Sequence, residues 1–470
     1  MEIHIMRIAI VGDGKVGSAL TEQLAKEGHD IVVIDSNKAV LREAVEELDV
    51  MVVHGNGATL KVQELADVEH SDLLIAATSA DEINLLCCII ARKLGCPHTI
   101  ARVRNPEYAH QLYFLKDELG LSMMVNPELA AASEIFRLLQ FPSFLQRDSF
   151  AKGRVEIVEI EVRGESKLIG KKLAELYKTA RVKVLVCAVE RGDDVLIPDG
   201  NFKLRKHDKL YVTASSKDLA KLIHNLGLER RKIRNVLIVG GGNIAYYLAE
   251  DLIASGVDVK IIEIDPERCL LLAEALPRAT VIEADGSERG VLDSEGIGGT
   301  DAVVTLTNID EENLIISMYA DFAGVSKVIT KINRTEYHEV FRDRGIECVV
   351  SPKELCSHEI VRYVRAMHNT TEDSIITLHR IVGGRMEALE FKANENTWYL
   401  GMTLSQLRLK KDILIACISR QGEIIIPQGS DSIRPGDTVI VVTTAEKIVH
   451  DLNDIFEEQE ERFRFREARE

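Results

Sequence analysis

The chain predicts an α/β protein in which a doubly wound parallel-sheet domain and a small α+β domain are laid down twice in tandem. Three observations carry this. Apolar runs of strand length alternate with stretches of helical periodicity. One ordered set of motifs recurs at an offset of 225–229 residues. Two glycine-rich turns, "IVGDGKVG" and "IVGGGNIA", each close a strand-like run and open a helix-like one.

In the first large domain, strands are expected at "RIAIVG", "DIVVID", "VMVVHG", "LLIAAT", "TIARV" and "SMMVNP", with helices between them. Alternation of this kind, with short turns, gives a Rossmann-like doubly wound parallel sheet. The small domain opens on "VEIVEIEV" (Val155 to Val162), alternating at period two. A helix through Leu176, "VKVLVCAVE", "KLYVTA" and a helix from Ser216 follow. This βαβββα-like order predicts a small α+β domain whose sheet is partly exposed.

The repeat runs through both domains. "DIVVID" recurs as "DVKIIE", "TSADEIN" as "TNIDEEN", and "VNPEL" as "VSPKEL". "IPDGNFKLRKHDKLYV" recurs as "IPQGSDSIRPGDTVIV", carrying Asp208 onto Asp437. The expected domains are residues 1–142, 150–228, 232–368 and 373–457, followed by a charged tail at 458–470. "RDSFAKG", "GLERRKIR" and "MHNTTED" read as polar linkers.

A chain of 470 residues needs several cores. It has no apolar run of eighteen residues, and its first strand starts at Met6, leaving no room for a leader. The net charge of −17, with no basic stripe beyond Glu229-Arg230-Arg231-Lys232, argues against nucleic acid and anionic lipid as partners. Eight scattered cysteines without a CxxC pair read as buried free thiols, and no metal set stands out.

The turns carry the chemistry. Gly12 permits the tight strand-to-helix turn, Gly14 lets backbone approach a pyrophosphate, and Gly17 lets helix pack on strand. Gly240, Gly242 and Ala245 fill the same places in the second copy. Asp35 and Glu263 each end the next strand, 18 residues after the third small residue. A carboxylate there accepts hydrogen bonds from an adenosine ribose and repels a 2′-phosphate. Lys15 can reach a terminal phosphate, or simply face solvent; Asn243, its counterpart, carries no charge. Thr78 and Ser79 end the fourth strand at the rim. Arg102 and its counterpart Lys331 end the fifth, where a cation meets phosphate or remains a surface charge.

Taken in order, the glycine turn, the acidic strand end, "TSADEIN", "IARVRNPEY", "NPE" and "IPDG" resemble the RCK/KTN regulators of potassium conductance, from about Met6 to Phe456. The resemblance implies nucleotide sites for NAD or NADH, with ADP and ATP as further ligands. It implies a homo-oligomeric ring, a tetramer being favoured, on the cytoplasmic face of a membrane beneath a potassium-channel-like pore subunit. Carried over by position, the contacts are Gly12, Asp13, Gly14, Lys15, Val16, Asp35, Asn56, Thr78, Ser79 and Arg102. In the second copy they are Gly240, Gly241, Gly242, Asn243, Ile244, Glu263, Asp285, Thr307, Asn308 and Lys331. Glu128 matches a residue near subunit contacts, in some relatives beside a cation; Lys353 replaces it in the second copy.

Two other readings compete. An NAD-dependent oxidoreductase needs a positioned acid or base. His207 and Tyr211 have no counterparts in the second copy, and His368 and His379 stand isolated, so an enzyme is not expected. A nucleotide sensor acting on soluble partners stays open. The helices "ELAAASEIFRLLQF" and "ELCSHEIVRYVRAM" are expected at a subunit contact rather than only on their own sheets.

Overall fold

The computed structural model describes residues 5–457, apart from 107, 109–110, 112–115, 141–143, 145–146, 152–153, 163–165, 193, 228–231, 335–347, 369–374, 383, 446, 448 and 450. The charged tail, and the centres of the linkers at 228–231 and 369–374, lie outside the described residues. Among those described, no helix is long and apolar enough to cross a membrane.

The first sheet holds β1 (Arg7–Val11), β2 (Asp30–Asp35), β3 (Met51–His54), β4 (Leu73–Ala76), β5 (His98–Arg102) and β6 (Met123–Val125). Its order is β3-β2-β1-β4-β5-β6, parallel throughout. α1 (Lys15–Lys26), α2 (Lys38–Glu47), α3 (Leu60–Leu65), α4 (Asp81–Leu94) and α5 (Pro127–Gln140) connect or follow the strands. Central strands are buried along their length because helices cover both faces: Leu73 to Ala76 are all buried. The chain reverses its winding between β1 and β4, and the crevice of a doubly wound sheet opens at such a point.

The first small sheet holds β7 (Arg147–Phe150), β8 (Val155–Glu161), β9 (Leu185–Arg191), β10 (Asp194–Leu196) and β11 (Lys209–Ser215), in antiparallel order β10-β9-β11-β8-β7. α6 (Leu176–Ala180) and α7 (Ser216–Leu226) accompany it. The helix expected through Leu176 starts there instead. Gly170 adopts φ +79°, and the amides of Gly170, Leu173 and Ala174 donate to Leu204, Phe202 and Gly200, so the segment before Leu176 is tied to the loop at 200–204 and makes only a 3-10 turn at Leu173–Glu175.

The second copy repeats this design. β12 (Asn235–Val239), β13 (Asp258–Glu263), β14 (Thr280–Glu283), β15 (Ala302–Thr305), β16 (Lys327–Lys331) and β17 (Val349–Val350) form a parallel sheet of order β14-β13-β12-β15-β16-β17. Its helices are α8 (Asn243–Ala254), α9 (Pro266–Ala275), α10 (Arg289–Ser294), α11 (Asp310–Phe322) and α12 (Pro352–His368). β18 (Ile375–Ile381), β19 (Met386–Lys392), β20 (Ile413–Arg420), β21 (Glu423–Ile425) and β22 (Thr438–Thr444) follow in order β18-β19-β22-β20-β21.

The chain divides into two compact units. One gathers Met1–Gln140 with Lys232–Val361, the other Phe141–Arg231 with Arg362–Glu470. The second unit corrects the expectation of a partly exposed small sheet. Phe150, Val155, Ile157 and Tyr211 of the first copy pack with Met386, Ala388, Ile440 and Val442 of the second, while Leu219 and Leu222 of α7 cover the opposite face of the first small sheet. Each acidic residue caught on the sandwiched face has a partner, as a buried charge requires. Glu190 meets Arg385 at 2.6 Å, Glu159 lies 3.8 Å from Lys209, and the Ala151 amide donates to Glu390 at 3.2 Å.

The repeated aspartates are clamps. Asp208 accepts from Arg191 at 2.8 Å and from the Arg205 amide at 2.7 Å; Asp437 accepts from Arg420 and the Arg434 amide at 2.7 and 2.8 Å. His207 takes φ +68° at the position where the second copy has Gly436 at +85°. It is a turn residue, paired with Glu161 at 2.9 Å. All eight cysteines are free and buried.

Candidate functional site

At the end of β1, Gly12 adopts φ +89°, and a Cβ there would stand 2.8 Å from the Thr78 amide nitrogen. Only glycine satisfies both conditions. A Cβ on Gly17 would stand 1.9 Å from the Gly12 carbonyl oxygen, so its absence lets α1 approach the turn. Gly240 repeats the first constraint, with φ +102° and a Cβ that would lie 2.8 Å from the Thr307 amide nitrogen. Ala245 takes the third place, fully buried. Gly14, Lys15 and Gly242 are exposed where each helix begins, whereas Val16 and Ile244 are buried beneath the turns. Free amides at such helix starts favour anions.

The acidic strand ends are built into the turns. Asp35 accepts from the Asp13 amide at 2.8 Å and from the Asn37 amide at 2.7 Å. Glu263 accepts from the Gly241 amide at 2.5 Å and from Ile264 and Asp265 at 2.8 and 2.9 Å. These bonds fix each carboxylate in orientation. A carboxylate offers about four lone-pair positions, so capacity remains for ribose hydroxyls.

The turns differ at their second residue. Asp13 is buried and accepts from the Thr21 hydroxyl at 3.0 Å; burial pushes its carboxyl above the usual range. Gly241 stands there in the second copy, where a Cβ would meet Leu272 Cδ1 at 2.6 Å. Arg268 then lies against the second turn, donating to the Gly241 carbonyl at 2.8 Å and to Asn243 Oδ1 at 3.2 Å. Sequence reasoning assigned Arg268 no role, because nothing in the first copy corresponds to it.

Asn56 and Asp285 cap the segments after β3 and β14, accepting from Ala58 and Ser287 amides, each at 2.9 Å. The Ser287 hydroxyl and amide hold the Asp285 carboxyl below its ordinary value. Ser79 and Asn308 are exposed at the rim. Thr78 and Thr307 are held from behind by the two asparagines of "TSADEIN" and "TNIDEEN". Asn84 accepts from the Thr78 amide at 2.8 Å and donates to the Arg102 carbonyl at 2.9 Å. Asn313 does likewise with Thr307 at 2.8 Å and Lys331 at 3.1 Å. Asp81 and Asp310 bind the loop amides of Arg104 and Arg334, each at 2.9 Å. The repeated motif is thus a scaffold that locks the rim, a role its spacing alone did not disclose.

Arg102 is half-buried, with Nη1 3.5 Å from the Thr78 carbonyl. Burial lowers its pKa, and Glu128 opposes that shift. Glu128 Oε1 lies 3.7 Å from Arg102 and 3.6 Å from Arg104, so its charge is answered by two guanidinium groups. Lys331 is only 6% exposed, and burial lowers its pKa; Asp310, Lys15 and Glu128 are the charges acting on it.

In this unit the two copies touch. α5 packs on α8, and Asn126 donates to the Tyr247 hydroxyl at 3.1 Å. The apolar face of "ELAAASEIFRLLQ" therefore meets the chain's own second copy, a correction to the expected contact with another subunit. Beside it opens a cleft of about 760 Å³, lined by Ser79, Arg104 and Asn105 of the first copy and by Asn243, Tyr246 and Arg268 of the second.

The TrkA-N domain model matches residues 8–127 and 236–352, and the TrkA-C domain model matches 157–227 and 388–456. The Trk system potassium uptake protein TrkA homolog 1 of Methanosarcina mazei is 34% identical over 448 residues, covering 94% of this chain and 98% of that protein. The GsuK RCK domain has the same fold, with a TM-score of 0.61 at 18% identity, covering 95% of this chain and 94% of its own. The GsuK channel bound to NAD aligns with the same score and identity over 95% and 78%. The relatives are named for potassium uptake and not for a catalysed reaction. With both domain types present in tandem, and with relatives matched over nearly their full length, the chain belongs to the TrkA family of Trk potassium-uptake proteins.

Proposed function

We propose that the chain is the cytoplasmic gating subunit of a potassium-uptake system. It binds NAD(H) or adenine nucleotides at both glycine turns and transmits occupancy to an integral membrane subunit of the TrkH or TrkG type. The observation that carries this reading is the repeated pairing of a strand-end carboxylate with a turn amide, Asp35 with Asp13 and Glu263 with Gly241. Such an arrangement suits a ribose beside a pyrophosphate. The same fold in a channel bound to NAD supports the choice of ligand.

The mechanism is a population shift. A nucleotide biases a gate only by binding one arrangement of the domains more tightly than another. Phosphate at a helix start, neutralised by Arg102 or Lys331, supplies that difference when the facing copy moves. In the assembly we propose, several chains, most simply four, form a ring on the inner face of the membrane beneath the pore. Calorimetric titration with NAD, NADH, ADP and ATP tests the reading; a folded chain with no affinity for any of them at millimolar concentration overturns it.

A further inference from the structure

Lys327 opens β16 with its side chain inside the protein. It keeps 2% of its surface in solvent, and so does Cys348, the residue before β17. Lys327 Nζ lies 3.0 Å from Cys348 Sγ. Paired backbone anchors both ends: Ala302 stands opposite Lys327, Lys331 stands opposite Val350, and the Thr330 amide donates to the Cys348 carbonyl at 2.9 Å. By the matching strand registers, the first copy has His98 and Met123 at these two positions. The amine and thiol therefore meet in the second copy alone.

Other thiols of the chain are placed differently. Cys88, Cys96, Cys187 and Cys269 direct their sulfur at backbone carbonyl oxygens. Burial pushes the Cys87 and Cys96 thiols up to about 12 and about 11. A carbonyl cannot take up a thiol proton, and peroxide oxidises the thiolate rather than the thiol. An amine can exchange that proton, and its nitrogen stands within reach of an oxygen placed on the sulfur. β17 is a two-residue strand at the edge of its sheet. Short edge elements open locally at little cost, which admits a small neutral oxidant.

We propose that Lys327 and Cys348 are a peroxide-responsive pair that closes, on oxidation, to a covalent Nζ–O–Sγ bridge between β16 and the residue leading into β17. Two molecules of hydrogen peroxide supply the four-electron oxidation. Their O–O bonds break, the pair loses one hydrogen from sulfur and one from nitrogen, one S–O and one N–O bond form, and three waters leave. Two molecules of a dithiol reverse the reaction, returning thiol and amine and releasing one water. The bridge staples the strand that ends in Lys331 to its edge neighbour. This inference stands apart from the nucleotide reading.

The test treats the full chain with hydrogen peroxide, quenches with catalase and maps its peptides by mass spectrometry without reductant. The expected product joins the peptides carrying Lys327 and Cys348 at about 14 Da above their combined mass, one oxygen gained and two hydrogens lost, and dithiothreitol separates them. Lys327→Met keeps a side chain of similar length and volume but removes the amine. Its Cys348 should carry only sulfenic or sulfinic acid, with no joined peptide. Met51 is 47% exposed, so its sulfoxide shows that the oxidant acted. With Met51 oxidised, an unmodified Cys348 in the parent chain overturns the proposal. Cys348 carried to sulfinic acid without the link also overturns it, as does a joined peptide that survives dithiothreitol. Should Lys327→Met fail to fold, the parent chain alone decides among these outcomes.

Discussion

The Asp13 amide donates to the Asp35 carboxylate at 2.8 Å, tying the first glycine turn to the end of the neighbouring strand. The same tie joins Gly241 to Glu263 in the second copy. The carboxylate is therefore aimed before any ligand arrives, and little ordering is needed on binding.

Replacing both acids, Asp35→Ala with Glu263→Ala, removes the ribose acceptors from both sites. Nucleotide affinity should fall by at least about tenfold at each site. Potassium flux through the reconstituted system should stop responding to nucleotide, while circular dichroism reports a folded chain. Flux that still follows nucleotide in the double variant would refute the gating scheme.

Asn84 is fully buried, and its carboxamide serves the Thr78 amide, Thr78 carbonyl and Arg102 carbonyl together. Asn84→Asp cannot donate to either carbonyl and puts a charge among them. Destabilisation of about 2–3 kcal/mol is expected in urea unfolding, with Asn313→Asp behaving alike.

Gly17→Ala forces a methyl group to within 1.9 Å of the Gly12 carbonyl unless α1 shifts. About 1–3 kcal/mol of stability should be lost, together with affinity at the first site. A thermal melt and a calorimetric titration measure both. Unaltered melting and binding would mean that the turn relaxes freely.

Asp13 has its carboxyl pushed upward by burial, against the Thr21 hydrogen bond. A group raised in the folded state stabilises most below its unfolded value and loses that contribution as pH climbs through the folded one. Asp13→Asn keeps the acceptor for Thr21 and carries no charge. Relative to the parent, the variant should gain stability between acid and neutral pH. Parallel stability curves for the two proteins over that range would contradict this.

Arg385→Ala leaves the buried Glu190 carboxylate without its 2.6 Å partner. Roughly 2–3 kcal/mol should be lost, less than for a fully buried pair because Arg385 keeps a third of its side chain in solvent. Chemical denaturation of the whole chain reads this, with Arg385→Lys recovering part.

Much of this was legible in the sequence because it is local. The strands of the two large sheets announce themselves as continuous apolar runs, and the turns by glycines whose φ and clearance no other residue meets. The hidden part is non-local. Val155 and Ile157 look like one face of an exposed sheet until Met386 and Ala388, more than two hundred residues away, cover them. Asp81 and Asn84 have no role assigned by their sequence pattern, yet both are buried and bonded to backbone. Arg268 escaped because a search for repeats discards whatever occurs once.

Asp148 and His379 hold equivalent register positions on β7 and β18, opposite Ile157 and Ala388, and meet each other at 3.0 Å. Two separate, identical chains packed about a dyad would set like against like at that point. Covalent fusion frees the halves to diverge, so a donor can sit opposite an acceptor on the axis itself. A single polypeptide can thereby distinguish its own pseudo-symmetric pairing from the association of either half with itself.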